Sequence, residues 1–328
     1  MLARRNVVLL VLAAALFAVD LATRPRANEA REELPLFPAL GEGEALRISI
    51  TDPLASTAVS SAGNAQVLEL VKASGEELER APGAPWRVVS KEGWPAQGTR
   101  VAFLLRTVKN LATSDLLASD AASHNDYGLL EADAARLRIF GASGELLADL
   151  LQGDAAPGGR ATYVRVFGDD RVWRAASLRG RLPSTPEVWM HPAWLPFERA
   201  EVVVRAVELS GTAIGEPLRL ERPNGGVELW TGPNDEIVSG EAVRALLRGL
   251  AALSVSEVQG TGTAPELLGS PRLRVTLERG PDDDPWTGYF GASDAEGEAV
   301  PAARSADDWT VLFPESSIAP LLGAIERL

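Results

Sequence analysis

One stretch of the sequence occurs twice, 142 positions apart. Residues 98–111 read GTRVAFLLRTVKNL and residues 240–253 read GEAVRALLRGLAAL, with Val, Leu-Leu-Arg and a final Leu at the same places. In both copies the apolar positions follow the i, i+3, i+4, i+7 spacing of one helix face. The sequence therefore predicts two amphipathic helices of one kind, each covering an apolar surface.

The segments around the two helices also correspond. Each helix follows two strand-like runs and precedes a strand with an RLR core. The pairs are QVLELVK (66–72) with LRLER (218–222), WRVVS (86–90) with GVELW (226–230), ARLRIF (135–140) with PRLRVT (271–276), and the Trp-bearing segments 162–175 and 306–313. The offset falls from 142 at the helices to 136 at the RLR strands, which gives the first copy six extra residues around HNDYGL at 124–129.

Two copies of one strand, helix and strand arrangement predict an α+β fold with two tandem repeated units. Short turns between the strands favour a mostly antiparallel sheet in each unit, with the helix packed on one face. The turn residues of LSGTAIGEP at 209–217 predict the boundary between the units. The predicted segments are a membrane anchor at 1–23, a juxtamembrane linker at 24–45, and repeat domains at 46–210 and 211–328.

The N-terminus begins with basic residues and continues as an apolar run. Residues 1–26 read MLARRNVVLLVLAAALFAVDLATRPR, and the part from Val7 to Val19 carries no charge. This pattern is typical of a secretory signal or of a short membrane span. No A-x-A-like site follows the run directly, which favours an uncleaved anchor over a cleaved signal, and the lack of a polar face disfavours a core helix. Either favoured interpretation places the folded domains outside the cytoplasm, and the preferred uncleaved anchor also holds them at the cytoplasmic membrane.

Composition excludes several classes of function. The formal net charge is −13, so nucleic acid is not an expected partner. The absence of cysteine excludes disulfides, thiolate zinc sites, iron–sulfur clusters and cysteine nucleophiles. Only two histidines, His124 and His191, are present, so a site with several histidine ligands is also excluded. We expect neither a cofactor nor a metal.

The sequence carries no complete catalytic motif. It lacks a G-x-S-x-G elbow, the Gly260–Thr263 segment lacks the Lys-Ser/Thr of a phosphate loop, and the acidic run at 282–284 lacks calcium-loop spacing. His124 stands among turn formers in SHNDYGL, which favours a structural turn over a base paired with Asp126. The sequence thus favours a non-enzymatic protein, and an envelope hydrolase using His124 is the less favoured alternative.

Two tryptophans lie in a proline-rich stretch between the repeats. Trp189 and Trp194 are flanked by prolines at 186, 192 and 196. Such residues either pack between domains or form a partly exposed aromatic surface that binds protein or glycan. Together with His124 and Tyr127 of the HNDYGL segment, they are the candidate interaction residues.

The arrangement of these segments resembles that of a known family. An N-terminal anchor, LFP before LRISI, PWRVV, GWPAQGTRV leading into LLRTVKNL, YGLLEADAARLRIF and TYVRVFGDDRVWRA are similar to the domain of unknown function 4340 family over residues 36–210. The resemblance implies a single-pass membrane protein with an exported domain. It also implies a partner, because genes of the family often accompany those of ABC-transporter components of the gliding-motility type. It brings no catalytic residues.

We therefore expect a membrane-anchored extracytoplasmic accessory or scaffold protein, associated with an ABC-transporter-type membrane complex. The alternative from another class is a cell-envelope ligand-binding module, with Trp189 and Trp194 as a platform on which a glycan stacks.

Overall fold

The computed structural model describes residues 34–42, 44–53, 66–74, 84–178, 180–222, 229–255, 257–261, 269–281, 283–304 and 309–328. The expected membrane anchor and most of the expected linker lie outside these residues. In the part of the chain that is described, no helix is both long and apolar enough to cross a membrane.

Within the described ranges, eighteen strands form two nine-stranded sheets whose pairings are antiparallel. The strands are β1 Arg47–Asp52, β2 Gln66–Lys72, β3 Trp86–Val88, β4 Trp94–Pro95, β5 Leu116–Ala118, β6 Ala135–Phe140, β7 Leu146–Ala155, β8 Thr162–Val166, β9 Val172–Ala175, β10 Ala206–Ser210, β11 Leu218–Glu221, β12 Leu229–Thr231, β13 Ile237–Ser239, β14 Glu257–Thr261, β15 Leu273–Glu278, β16 Trp286–Phe290, β17 Ala299–Arg304 and β18 Trp309–Pro314.

The two sheets have the same topology. Their spatial orders are β4-β3-β2-β1-β6-β7-β8-β9-β5 and β13-β12-β11-β10-β15-β16-β17-β18-β14. Adding nine to each strand number of the first order gives the second. The predicted α+β class and the antiparallel sheets are therefore confirmed, and the topology repeats as the sequence does.

The helices pack against these sheets. They are α1 Pro38–Glu42, α2 Gly98–Lys109, α3 Ala200–Val203, α4 Gly240–Ala252 and α5 Glu315–Ile325. The repeated sequence forms α2 and α4, whose stripes are buried at corresponding positions: Val101, Leu104 and Val108 in α2, and Val243, Leu246 and Leu250 in α4. The apolar spacing thus forms a helix in both units because that stripe has a sheet to cover.

The second unit begins earlier than the expected boundary at residue 211. β10, the strand Ala206–Ser210, pairs with β11 and β15 in the middle of the second sheet. The turn residues at 209–217 therefore join two strands of one sheet. A turn between strands and a turn between domains use the same residue types, so the sequence signal did not separate them.

The register of the repeat also differs from the alignment of the RLR letters. Ile48 in β1 faces Ile139 in β6, and the equivalent Val207 in β10 faces Leu277 in β15. The offset between the later strands is 277 − 139 = 138, and not 136. A shift of two residues keeps each side chain on its own face of the sheet, so alternation did not reveal it. The first unit therefore has 142 − 138 = 4 extra residues between α2 and β6, and not six.

One apolar cluster extends through both units. A second, smaller cluster consists of Leu129, Ala134, Leu151 and Val172, with Tyr127 and Tyr163 packed against it. The interaction candidates of the sequence therefore divide between two cores: Trp189 and Trp194 belong to the large cluster, and Tyr127 borders the small one.

Candidate interaction site

The two tryptophans between the repeats are buried. Trp189 is 2% exposed and Trp194 is 0% exposed. The ring of Trp194 packs edge-on against Trp286 and Phe313 of the second sheet, with centroid distances of 6.1 and 5.2 Å. A ring enclosed in this way offers no face to a ligand. The predicted exposed aromatic platform is therefore wrong. Trp194 packs between the units, whereas the indole N–H of Trp189 donates to the carbonyl of Pro183 at 2.8 Å and its buried side chain borders a groove beside α2.

The backbone of this connecting segment is hydrogen-bonded to both units. On the first unit, the N–H of Gln97 donates to the carbonyl of Trp189 at 2.7 Å, and the N–H of His191 donates to the carbonyl of Pro95 at 2.8 Å. On the second unit, the N–H of Val255 donates to the carbonyl of Pro192 at 2.7 Å. The proline-rich connector is thus a joint that positions the units against each other.

Aromatic and cationic side chains complete this joint. Trp94 of β4 and Trp309 of β18 meet with ring centroids 5.1 Å apart, and the indole N–H of Trp309 donates to the carbonyl of Glu92 at 2.6 Å. The guanidinium of Arg304 lies 5.0 Å from the Trp94 ring and 5.2 Å from the Trp194 ring. Cation–π contacts of desolvated arginines stabilise such packing. These residues join the two repeats.

His124 is also buried, at 6% exposed. Its Nε2 lies 2.9 Å from the backbone oxygen of Asp170, to which an Nε2–H donates. The surrounding residues Ala121–Tyr127 form a 3-10 helix that ends at Gly128, whose φ is 65°. The segment is a turn, as the sequence predicted. His124 fastens this turn to the loop before β9, so its assignment to an accessible interaction surface is wrong.

Tyr127 is half-buried. Its ring packs edge-on against Tyr163 of β8, with centroids 4.7 Å apart. Asp126, the expected acidic partner of His124, is exposed to solvent. The structure therefore places Tyr127 in a packing contact at the edge of the small cluster.

An accessible surface with binding character lies on α2 instead. A groove of about 490 Å³ runs between this helix and residues 177–178 and 180–183. Phe103 of α2 is 55% exposed and lines the groove. Leu104 and Thr107 of the same helix also line it. Large apolar side chains exposed in a concave surface are typical of contact sites for other molecules.

The second repeat shows what fits on this helix face. In that unit α5 follows β18 directly and packs against α4. A Cβ built on Gly249 of α4 would lie 3.4 Å from Cδ1 of Leu321 in α5. With the helix offset of 142, Gly249 corresponds to Thr107, and Ala245 corresponds to Phe103. The groove on α2 is therefore the equivalent of a helix-binding surface in the second repeat.

The chain after β9 explains why the first unit differs. The offset of 138 holds to the last strands, where Trp173 of β9 corresponds to Val311 of β18. The described residues 177–178 and 180–187 thus correspond to α5, but they contain Gly180 with φ of 71° and prolines at 183 and 186. The left-handed backbone at Gly180 opposes a helix, and the prolines add to this, although α5 itself accommodates Pro320. In the described part of the first unit, no helix covers this face of α2.

The rim of the groove is cationic. Arg100 and Arg181 line the groove, and Arg181 is ion-paired with Asp52. Helix α2 also carries Arg106 and Lys109 and no acidic residue, in a chain with a net charge of −13. Arg100 Nε donates to Gln97 Oε1 at 3.1 Å, and the guanidinium carbon of Arg106 lies 5.8 Å from the centre of the Phe103 ring. Positive potential beside an apolar groove favours an acidic partner.

A metal-type site is not formed by the described residues, which contain no group of three or more His, Asp or Glu side chains in a ligating arrangement. The geometry of the groove, with an apolar floor and charged edges, suits the binding of another polypeptide.

A family model described as "Domain of unknown function (DUF4340)" matches residues 86–272, more than half of the chain. The chain belongs to this family. No curated protein and no solved structure matches it.

The part of this DUF4340 protein that matches runs from β3 to the residue before β15. It contains α2 with its groove, the connector and α4, and it ends before α5. The family match thus includes the connector and part of both units. The sequence resemblance was instead expected over residues 36–210, mainly the first unit.

Sequence reasoning missed the groove on α2 in this DUF4340 member. The available signal was Phe103, which is a large aromatic residue outside the buried stripe of its helix. The sequence does not show that the equivalent face of α4 is covered, because the covering helix α5 lies more than sixty residues later in the chain.

Proposed function

We propose that this DUF4340 protein is a non-enzymatic accessory protein, anchored in a membrane by its N-terminus, that binds a partner protein of a membrane complex through the groove on α2. The observation that supports this proposal is a difference between the repeats. In the second repeat α5 covers one face of α4, whereas in the described part of the first repeat no helix covers the equivalent face of α2. The resemblance that the sequence shows to its family favours an ABC-transporter-type complex as the one that contains the partner.

The occupant we propose is an amphipathic helix of the partner protein. On α4 the bound helix buries Ile318, Leu321 and Ala324, which are spaced by three residues. A partner helix with apolar residues at the same spacing matches the floor formed by Leu104 and Thr107. Acidic residues beside its apolar stripe match the cationic rim of α2.

The membrane anchor is proposed from the sequence. Residues 7–19 are uncharged and apolar, and Arg4 and Arg5 precede them. Such a segment favours a cytoplasmic N-terminus and export of the remainder of the chain. The exported location brings the groove to the extracytoplasmic side, where it meets periplasmic or extracellular parts of a membrane complex.

The absence of cysteine from the chain makes the location simple to test. Ala142 lies exposed in the turn between β6 and β7, and Ala3 lies before the apolar run. In intact cells or spheroplasts, a membrane-impermeant maleimide should label Ala142→Cys and leave Ala3→Cys unlabelled. Labelling of Ala3→Cys alone would contradict the orientation, and recovery of the protein in the soluble fraction after cell lysis would contradict the anchor.

Site-specific photo-crosslinking tests the groove. A photoreactive phenylalanine analogue placed at Phe103 should give one defined protein adduct in native membranes. The matched control places the analogue at Ile237, which is 73% exposed on the second unit and lies outside the groove. Mass spectrometry of the adduct should locate the crosslink in an amphipathic segment that carries acidic residues.

A substitution makes this test independent of the crosslinker. Phe103→Glu removes the apolar contact and reduces the positive charge of the rim, so co-purification of the crosslinked partner from solubilised membranes should be lost. Ile237→Glu should leave it unchanged. Recovery of the protein alone, or equal adducts from positions 103 and 237, would refute the proposal.

A further inference from the structure

A second cavity, of about 380 Å³, lies on the second unit beside α3. The described residues that line it include three arginines, Arg205, Arg222 and Arg279, and the acidic Asp283. Phe197, Val202 and Val203 form its apolar part. Three guanidinium groups around one small cavity are unexpected in a chain whose net charge is −13.

Arg222 is the most enclosed of these residues, at 7% exposed. Its Nη1 donates to the carbonyl of Val202 at 3.0 Å and its Nη2 to the carbonyl of Glu201 at 2.7 Å. Its buried Nε has no hydrogen-bond partner among the described residues, and none of their carboxylates lies within ion-pair distance. A buried cation without a counter-charge is costly, so this side chain favours a bound anion.

The guanidinium carbon of Arg222 lies 4.9 Å from the centre of the Trp230 ring, which offers a cation–π contact but no formal counter-charge. Burial lowers the pKa of Arg222 below its usual value, and the positive charges of Arg205 and Arg244 lower it further. Arg279 also has a buried Nε without a partner in the described residues, and its Nη2 lies 3.5 Å from Asp283. Among the described residues that line the cavity, the carboxylate of Asp283 therefore faces three guanidinium groups.

The first repeat shows that the fold does not require these arginines. The N–H of Lys72 donates to the carbonyl of Leu46, as the N–H of Arg222 donates to the carbonyl of Arg205. Leu46 and Lys72 are thus the equivalents of Arg205 and Arg222, and the offset of 138 makes Gly141 the equivalent of Arg279. Lys72 is ion-paired with Glu44. The arginine cluster belongs to the second unit alone.

We propose that Arg205, Arg222 and Arg279 form a binding site for a phosphate group. Guanidinium groups bind phosphate oxygens through paired N–H donors, and a site with several arginines suits a tetrahedral oxyanion. Val202 and Val203 border the cavity and are 43% and 37% exposed. The ligand class is therefore a phosphate or phosphate ester, either free in solution or in the headgroup of an anionic lipid.

Binding is tested with the full-length protein in neutral detergent. The melting temperature is measured over a series of sodium phosphate concentrations, against sodium chloride at equal ionic strength and pH. A ligand that binds the folded state raises the melting temperature in a saturable manner. We expect saturation with phosphate and none with chloride.

Two substitutions connect the binding to the site. Arg205→Gln changes an exposed residue outside the core and should raise the phosphate Kd by about tenfold, the loss of one charged contact. Arg205→Gln combined with Arg279→Gln should abolish saturation. Arg248→Gln removes the same charge from an exposed position on α4 and is the matched control, with an unchanged Kd.

Vesicle flotation separates the two sources of phosphate. Detergent-free protein reconstituted in phosphatidylcholine nanodiscs is mixed with vesicles of phosphatidylglycerol or of phosphatidylcholine. Capture by phosphatidylglycerol vesicles that is lost in the double variant assigns a lipid headgroup, and phosphate binding without capture assigns a soluble phosphate ester. Equal melting shifts with phosphate and chloride, or a double variant that binds phosphate as the wild type does, overturn the proposal.

Discussion

Replacing Trp194 by alanine should destabilise the protein strongly, because this residue is the centre of the joint. The side chain is fully buried and contacts three aromatic rings of the second sheet. Burial of roughly 200 Å² at about 25 cal/mol per Å² corresponds to about 5 kcal/mol. The indole N–H is buried without a hydrogen-bond partner in the described residues, and its removal returns about 1 to 2 kcal/mol. The expected loss in the free energy of unfolding is therefore about 3 to 4 kcal/mol.

Urea unfolding of the full chain in detergent, followed by near-ultraviolet circular dichroism, measures this loss. Trp194→Phe keeps a ring and removes the unpaired N–H, so we expect a cost under about 1.5 kcal/mol. Phe103→Ala, at a residue that is 55% exposed, is the surface control and should change stability by less than about 1 kcal/mol. If Trp194→Ala costs as little as this control, the ring is not enclosed and the account of the joint is refuted.

Two further substitutions test local packing and charge. Gly153→Ala should cost about 2 kcal/mol or more, because its Cβ would overlap the backbone oxygen of Tyr127, whereas Gly260→Ala, with open space around it, should be nearly neutral in the same unfolding assay. Hydrogen bonds from Ser293 and Arg272 lower the pKa of Glu315 below its ordinary 4.5. The resulting stability should be present above pH 4.5 and lost as the pH falls towards the lower folded pKa; a Glu315→Gln variant with an unchanged acid profile would contradict this.

The duplicated architecture could be predicted from the sequence because both helices need the same pattern of apolar residues on one face. Val101, Leu104 and Val108 recur at Val243, Leu246 and Leu250, and a helix that covers a sheet needs a buried residue at each of these places. The boundary and the register were not accessible. A turn inside a sheet resembles a linker in composition, and a strand shifted by two residues keeps its faces, so only hydrogen bonding distinguishes these alternatives.

The interaction residues were mispredicted for a related reason. Tryptophans among prolines are compatible both with an exposed platform and with a packed joint, and the choice depends on what lies opposite each ring. Trp194 faces Trp286 and Phe313, which are more than ninety residues distant in sequence. The residue types alone do not decide between the two roles, because the partners of the Trp194 ring come from distant parts of the chain.

Comparison of the two repeats indicates where their roles diverge. Shared features, such as the α2 and α4 stripes, are explained by the need to cover a sheet. The differences have no such explanation. Helix α5 covers one face of α4, whereas the described residues 177–178 and 180–183 leave a groove beside α2. Three arginines stand in the second unit where Leu46, Lys72 and Gly141 stand in the first. Since the fold tolerates either version, these two surfaces are the positions at which binding can be altered without loss of the architecture, and the variants of Phe103 and Arg205 test them separately.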